Sequence, residues 1–95
     1  MGKKTVAFNQ TGIEKLPENK PVVYRIETNG GRLNYVGVAK RGRVQERISE
    51  HLPGQKDQVR GAKVQIEQMP TIREAVKKEQ RIISRTQPPY NSEGK

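Results

Sequence analysis

The amino-acid sequence predicts an α+β domain of element order ββαβα, in which a three-stranded, mainly antiparallel sheet carries flanking helices. Three observations lead there. Two alternating β-branched and aromatic runs, Val22 to Thr28 and Leu33 to Val38, flank Asn29-Gly30-Gly31, whose residue types tolerate the positive φ of tight hairpin turns. The apolar spacing then switches to four, at Val44, Ile48 and Leu52. A third alternating run, Lys63 to Met69, precedes a longer helical stripe that Pro88-Pro89 stops.

With 95 residues the chain is one domain or less, since domains usually hold about 100–200. We place an N-terminal extension, partly ordered, at 1–15, the domain at 16–91 and a tail at 92–95. Hydrophobic residues make up 31% and aromatics 4%, so a small core must be built from Val, Ile and Leu. Cysteine is absent and histidine occurs once, which excludes disulfides, thiolate zinc sites and His-rich metal sites. The basic Met1-Gly2-Lys3-Lys4 leads into no apolar signal region, and no apolar run nears the roughly 18–20 residues of a membrane span. The expectation is a cytoplasmic protein with no membrane partner. Nineteen Lys and Arg against ten Asp and Glu give a net charge of +9, which suits a polyanion. Counterion release from nucleic-acid phosphates needs no motif, so charge supports binding and not catalysis.

Taken in order, residues 1–10 show no strong period, although Val6 and Phe8 alternate with polar neighbours and admit a short edge strand. The segment 11–21 holds two prolines and reads as an entry pinned by Ile13 and Leu16. In the first strand Val22, Tyr24 and Ile26 share one face, and Val23, Arg25 and Glu27 the other. In the second, Leu33, Tyr35 and Gly37 share a face; a glycine there signals a bend or a close approach. Lys40-Arg41-Gly42-Arg43 leads to a helix over 44–52, on which Arg47 and His51, four apart, border the apolar stripe and point the same way. Pro53-Gly54 ends it and opens the longest loop, to about Gly61. After the third strand, Thr71 with Glu74 forms a capping-box pattern for a helix to about Thr86. Tyr90-Asn91 reads as a docked turn before a frayed tail.

One residue breaks the pattern. In the second helix the stripe is Ile72, Ala75, Val76, Ile82 and Ile83, and Glu79 falls in its middle. An ionised carboxylate there requires a cation, either a protein base or a metal. Arg73, Lys77, Lys78, Arg81 and Arg85 lie off the stripe, on a solvated or phosphate-facing surface. A single carboxylate can hold one Mg²⁺ when water and phosphate complete its shell. One metal, one arginine and two tyrosines suffice for phosphodiester hydrolysis, provided that nearby cations lower a phenol from its ordinary pKa near 10.

These residues resemble the GIY-YIG endonucleases, the group that includes phage homing endonucleases, certain restriction enzymes and the N-terminal nuclease domain of bacterial excision repair. Val22-Val23-Tyr24 stands at the GIY position and Tyr35-Val36-Gly37 at YIG; Arg47 in Glu46-Arg47-Ile48 matches the helix arginine and His51 the aromatic or His position after it. Glu79-Gln80-Arg81-Ile82-Ile83 … Pro88-Pro89-Tyr90-Asn91 looks like the C-terminal motif, and the lead-in Leu16-Pro17 … Pro21 is similar to the excision-repair branch. The resemblance spans residues 16–91. Three departures stand out: Val22 replaces the first glycine, Val38 occupies the place after the second motif where many relatives put a lysine, and Arg41-Gly42-Arg43 lengthens the approach to Arg47.

What the resemblance implies is a Mg²⁺-dependent endonuclease, with Mn²⁺ as a substitute, that cuts one DNA strand per site and acts on duplex or branched DNA, as in DNA repair. It implies that Tyr24 and Tyr35 flank the water and scissile phosphate, Arg47 steadies the phosphate, His51 hydrogen-bonds a tyrosine or the leaving group, Glu79 binds the metal and Asn91 braces the site. Lys40, Arg41, Arg43, Arg81 and Arg85 are the expected nucleic-acid contacts, and specificity would come from a separate recognition domain or protein partner. The alternatives are a nucleic-acid-binding module of the same fold that has lost cleavage, for which Val38 argues, and a ribosome- or RNA-associated basic protein, which leaves Glu79 unexplained.

Overall fold

The hairpin forms as its residues require. Strands Val22–Glu27 and Leu33–Ala39 pair antiparallel, and the turn between them closes through Gly31 N–H to Thr28 O at 2.9 Å and Arg32 N–H to Thr28 Oγ1 at 3.1 Å, with Gly31 at φ 89. A computed structural model of the chain describes residues 2–92. Its elements in chain order are β1 (Lys3–Ala7), α1 (Gln10–Ile13), β2 (Val22–Glu27), β3 (Leu33–Ala39), α2 (Val44–Ser49), β4 (Lys63–Gln68), α3 (Ile72–Thr86) and α4 (Pro89–Ser92). Of the tail expected at 92–95, Ser92 closes α4, and residues 93–95 lie outside the described residues.

The sheet has four strands, not three, in the order β1-β4-β2-β3, and every pairing is antiparallel. The added strand is the short edge strand that residues 1–10 admit, within the expected extension: Lys3 to Ala7 pair with Glu67 to Lys63 along the free edge of β4. Asn9 then caps α1, its side chain accepting from Gly12 N–H at 2.8 Å.

Central placement buries β2 on both faces, which explains the unbroken run Val22-Val23-Tyr24. One face packs Val22, Tyr24, Ile26, Val64 and Ile66 against Ile13, Leu16, Val44 and Ile48, so α1 and α2 cover it. The other packs Val23 and Val36 against Ala75, with Val38, Ile72, Ile82 and Ile83 around them, so α3 covers it. Within α3 the expected stripe holds except at Val76, which is exposed because it lies to the side of the contact. The Thr71 cap forms, accepting from Glu74 N–H at 3.2 Å. Lys78, expected on the solvated surface, instead reaches the sheet and ion-pairs with Glu67 at 2.6 Å, beside Arg25 at 3.8 Å from the same carboxylate.

Two further expectations are corrected. Leu33 does not share a face with Tyr35: Ile26 pairs with Tyr35 and Glu27 with Leu33, so Asn34 is an extra residue, a β-bulge that turns Leu33 to the α3 side. The helix expected over 44–52 ends at Ser49, and the chain continues through tighter turns, His51 N–H to Ile48 O at 3.0 Å and Leu52 N–H to Ser49 O at 3.1 Å.

The outer edge of β3 is closed by one side chain. Asn91 accepts from Val36 N–H and donates to Val36 O, each at 2.9 Å, completing a ladder rung as a peptide group would. Asn91 is itself buried, so losing it leaves two main-chain groups without partners. Asn91→Ala should lower folding stability by about 2 kcal/mol, read as a lower urea midpoint with an unchanged m-value; an unchanged midpoint would show that water replaces the side chain at no cost.

Candidate active site

At Gly37 the hairpin reveals why a glycine stands in a strand. A Cβ there would lie 2.6 Å from both Cζ and the hydroxyl oxygen of Tyr24 and 3.0 Å from Cε2 of Tyr35. The missing side chain leaves room for the two rings, whose centroids are 6.1 Å apart. The rings differ in surroundings. Tyr24 is fully buried, whereas Tyr35 is half-buried and opens on a cleft of about 590 Å³.

His51 joins them. Its Nε2 is 2.7 Å from the Tyr24 hydroxyl, its Nδ1 is 2.7 Å from the main-chain oxygen of Asp57, and its ring centroid is 4.6 Å from that of Tyr35. A carbonyl oxygen only accepts, so Nδ1 carries the hydrogen. Burial holds the imidazole pKa below its ordinary value, so the ring is neutral and Nε2 is an acceptor. The Tyr24 hydroxyl therefore donates to His51.

Burial raises the pKa of both tyrosines, that of Tyr24 more strongly. The Arg47 guanidinium pulls both down, while the Glu79 carboxylate, close enough to act on both rings, pushes them up. Arg47 is held in place by Glu50 at 2.6 Å and stands 3.7 Å from the Asp57 carboxylate. The hydrogen bond with Arg47 is opposed only by modest desolvation, so the Glu50 carboxyl is held below the usual range.

Five of the six residues expected at the site, Tyr35, Arg47, His51, Glu79 and Asn91, line this one cleft, and the sixth, Tyr24, lies behind it on His51. They arrive from β2, β3, α2 with its following turn, α3 and α4. The expected basic contacts divide. Lys40 and Arg43 line a groove that runs beside the cleft and shares Arg47 and Lys56 with it, and Arg41 lies next to them with Lys40 and Lys20. Arg81 and Arg85 face away from it, toward Arg25 and Lys78 on the other flank of α3.

Sequence reasoning missed Lys56, Asp57 and Gln58, which the loop after α2 brings to the cleft wall. The loop is fixed by Asp57 N–H to Glu50 O at 3.1 Å, Val59 N–H to His51 O at 2.9 Å and Asn34 Nδ2 to Arg60 O at 2.9 Å, with Val59 buried. Asp57 serves His51 through its main chain, which no side-chain pattern signals. The polar composition of the loop was the one available hint.

A family model described as the GIY-YIG catalytic domain matches residues 20–91. Among solved structures, the chain is similar to the GIY-YIG N-terminal endonuclease domain of UvrC from Thermotoga maritima bound to its catalytic divalent cation, magnesium, with 25% identity, a TM-score of 0.62, and 82% of this chain and 93% of that one covered. Two point mutants of the same Thermotoga maritima domain, one asparagine-to-alanine and one tyrosine-to-phenylalanine, each bound to the catalytic divalent cation, give the same TM-score of 0.62. Their identities are 25% and 24%, over 82% of this chain and 92% and 93% of theirs. The comparison with curated proteins finds no match.

The depressed His51 pKa has a consequence for stability. The unfolded chain takes up a proton on His51 near the ordinary value of about 6.5, and the folded chain does so only at lower pH. This contribution is complete above the unfolded value and is lost as pH falls toward the folded one. Urea titrations at pH 7.5 and pH 5.5 should show a drop in stability for the wild type that His51→Gln reduces; an equal drop in both proteins would locate the effect elsewhere.

Proposed function

The chain belongs to the GIY-YIG family of catalytic domains, and from this premise we propose that it is a metal-dependent endonuclease that hydrolyses DNA phosphodiester bonds, one strand per active site. The observation that carries the reading is the meeting of Tyr35, Arg47, His51 and Glu79 in one cleft, with Tyr24 hydrogen-bonded behind it. A generic basic binding module has no need of a carboxylate facing the phosphate, nor of a buried phenol–imidazole pair.

The donor set fits Mg²⁺. Glu79 offers hard oxygen, and no group of three or more His, Cys, Asp or Glu gathers as a metal cage among the described residues. An ion held by one carboxylate and completed by water and phosphate oxygens is the usual manner of Mg²⁺. Held by Glu79, such an ion would offset negative charge on the phosphate during cleavage. Arg47, oriented by Glu50, holds a phosphate oxygen, and Lys40 adds positive charge in the adjoining groove, where Arg43 and Lys56 are ion-paired with Glu46 and Glu50. That groove is also where Val38 lies, so cationic side chains flank the place of the missing lysine.

Tyr35 faces the cleft and therefore meets the attacking water. A free phenolate is disfavoured at either tyrosine, since burial raises both. Both phenols therefore serve in their protonated form: Tyr35 orients the attacking water at the cleft face, and the Tyr24–His51 pair behind it fixes the wall on which Tyr35 packs. The neutral imidazole of His51 is held in this role by the Asp57 carbonyl through Nδ1–H.

Supercoiled plasmid should be nicked in Mg²⁺ and left intact in EDTA. Glu79→Ala and Arg47→Ala should each lower the rate at least ~100-fold with melting temperatures close to that of the wild type, and Tyr35→Phe should be as damaging. A fully active Glu79→Ala protein would sink the proposal. Salt-dependent DNA binding with no product in Mg²⁺ or Mn²⁺ would favour the binding-module reading instead.

A further inference from the structure

We propose that the outer ridge of α3, formed by Arg73, Lys77, Arg81 and Arg85, is a second phosphate-binding surface for duplex DNA, separate from the cleft. The four residues follow one another at intervals of four and all are exposed. At 1.5 Å per residue they step along the helix by about 6 Å each. At 100° per residue they lie roughly 120–240° around the axis from Glu79, so a phosphate on the ridge is not one held in the cleft.

The ridge is unfavourable to the helix that carries it. Like charges four apart on a helix repel, and α3 has three such steps in succession. Among the described residues, none of the four forms an ion pair with a carboxylate. Lys78, next to them, is the α3 cation that does, through Glu67. At the C-terminal end Arg81 and Arg85 join Arg25 and Lys78 around a groove of about 440 Å³, whose acidic lining residue, Glu27, has Lys63 at 4.0 Å. The ridge thus keeps its charge for an external anion.

Its chemistry selects nucleic acid. Protein interfaces are centred on aromatic or aliphatic anchors, and membrane-surface helices expose an apolar face. The apolar stripe of α3 is turned to the sheet, and Val76, the exposed large hydrophobic residue among those described, lies on the cleft side. A regular row of cations with no apolar anchor suits a phosphate backbone. This inference rests on the reading of the chain as one that acts on DNA, and extends it to a second line of contact about one helix width, roughly 10–12 Å, from the cleft.

The test measures binding of a fluorescent 20-base-pair duplex in EDTA, across a salt series, and so does not depend on cleavage. The variant R73Q/K77Q/R81Q/R85Q should raise Kd at least tenfold and lower the slope of log K against log salt by about 2–4, at roughly 0.9 per lost phosphate contact. A control with the same charge loss elsewhere, K4Q/K15Q/R32Q/R60Q, should change Kd less than threefold. R81Q/R85Q gives a smaller change in the same direction and guards against misfolding, which circular dichroism checks in each protein. Equal losses in ridge and control variants, or an unchanged slope in the ridge variant, overturn the proposal. So does ridge-dependent binding to phosphatidylserine vesicles or to polyglutamate with DNA binding unaffected. If the wild type cuts nothing while the ridge variant still loses DNA binding, it is the nuclease reading that has failed and not this one.

Discussion

The hydrogen bond from Tyr24 to His51 is the interaction on which the rest depends. A phenol hydroxyl with no exposure to water must find a partner, or its burial costs free energy on the order of 1–3 kcal/mol. The partner it has is itself buried and has to present an unprotonated nitrogen. That condition is met from the other side of the ring, where the Asp57 carbonyl fixes the tautomer. Two parts of the chain far apart in sequence are therefore locked together: the central strand β2, and the turn after α2 with the loop that follows it. Gly37 belongs to the same constraint, because any side chain on β3 at that point would occupy the space of the Tyr24 ring.

α3 divides the remaining chemistry. Its apolar stripe, Ile72, Ala75, Ile82 and Ile83, seats it on the sheet, and Glu67 with Lys78 adds an ion pair at the margin of that contact. Burial alone would push the Glu67 carboxyl up; Lys78 more than compensates and holds it below the ordinary value. With the helix fixed in rotation, Glu79 is directed to the cleft while Arg81, two residues on, looks to the opposite flank. A single rotation of the helix about its axis would exchange the carboxylate for a cation. The apolar stripe is thus a positional device for the site as much as a source of stability.

Most of the candidate site was legible in the sequence, and the reasons are physical. Glu79 announced itself because a carboxylate in an apolar stripe violates the helical pattern, and Arg47 with His51 because a spacing of four puts two side chains on one face. Gly37 was legible as a close approach, though not what approaches. What escaped reading were contacts that do not depend on side-chain type. Asp57 acts on His51 through its carbonyl, and Asn34 is a bulge created by one surplus residue; β1, which the alternation of Val6 and Phe8 admitted, is held in place by the edge of β4 more than by its own pattern. The direction of Arg81 and Arg85 depended on the roll of α3, which index arithmetic gives only once the buried stripe is known.

The electrostatics of the site favour shared protons over separated charge. Both phenols are raised by burial, and the acids nearby add to that, Glu79 at both rings and Asp57 at Tyr35. Against them stands Arg47, whose guanidinium is partly engaged with Glu50 and lies near Asp57. One partly neutralised cation does not balance burial and two carboxylates, so the resting site holds both tyrosines protonated and His51 neutral. Behind the cleft wall the Tyr24 hydroxyl shares its proton with an imidazole whose far nitrogen already bonds an oxygen. The same burial that makes each phenol a poor base keeps the Tyr24 hydroxyl bonded to a neutral imidazole.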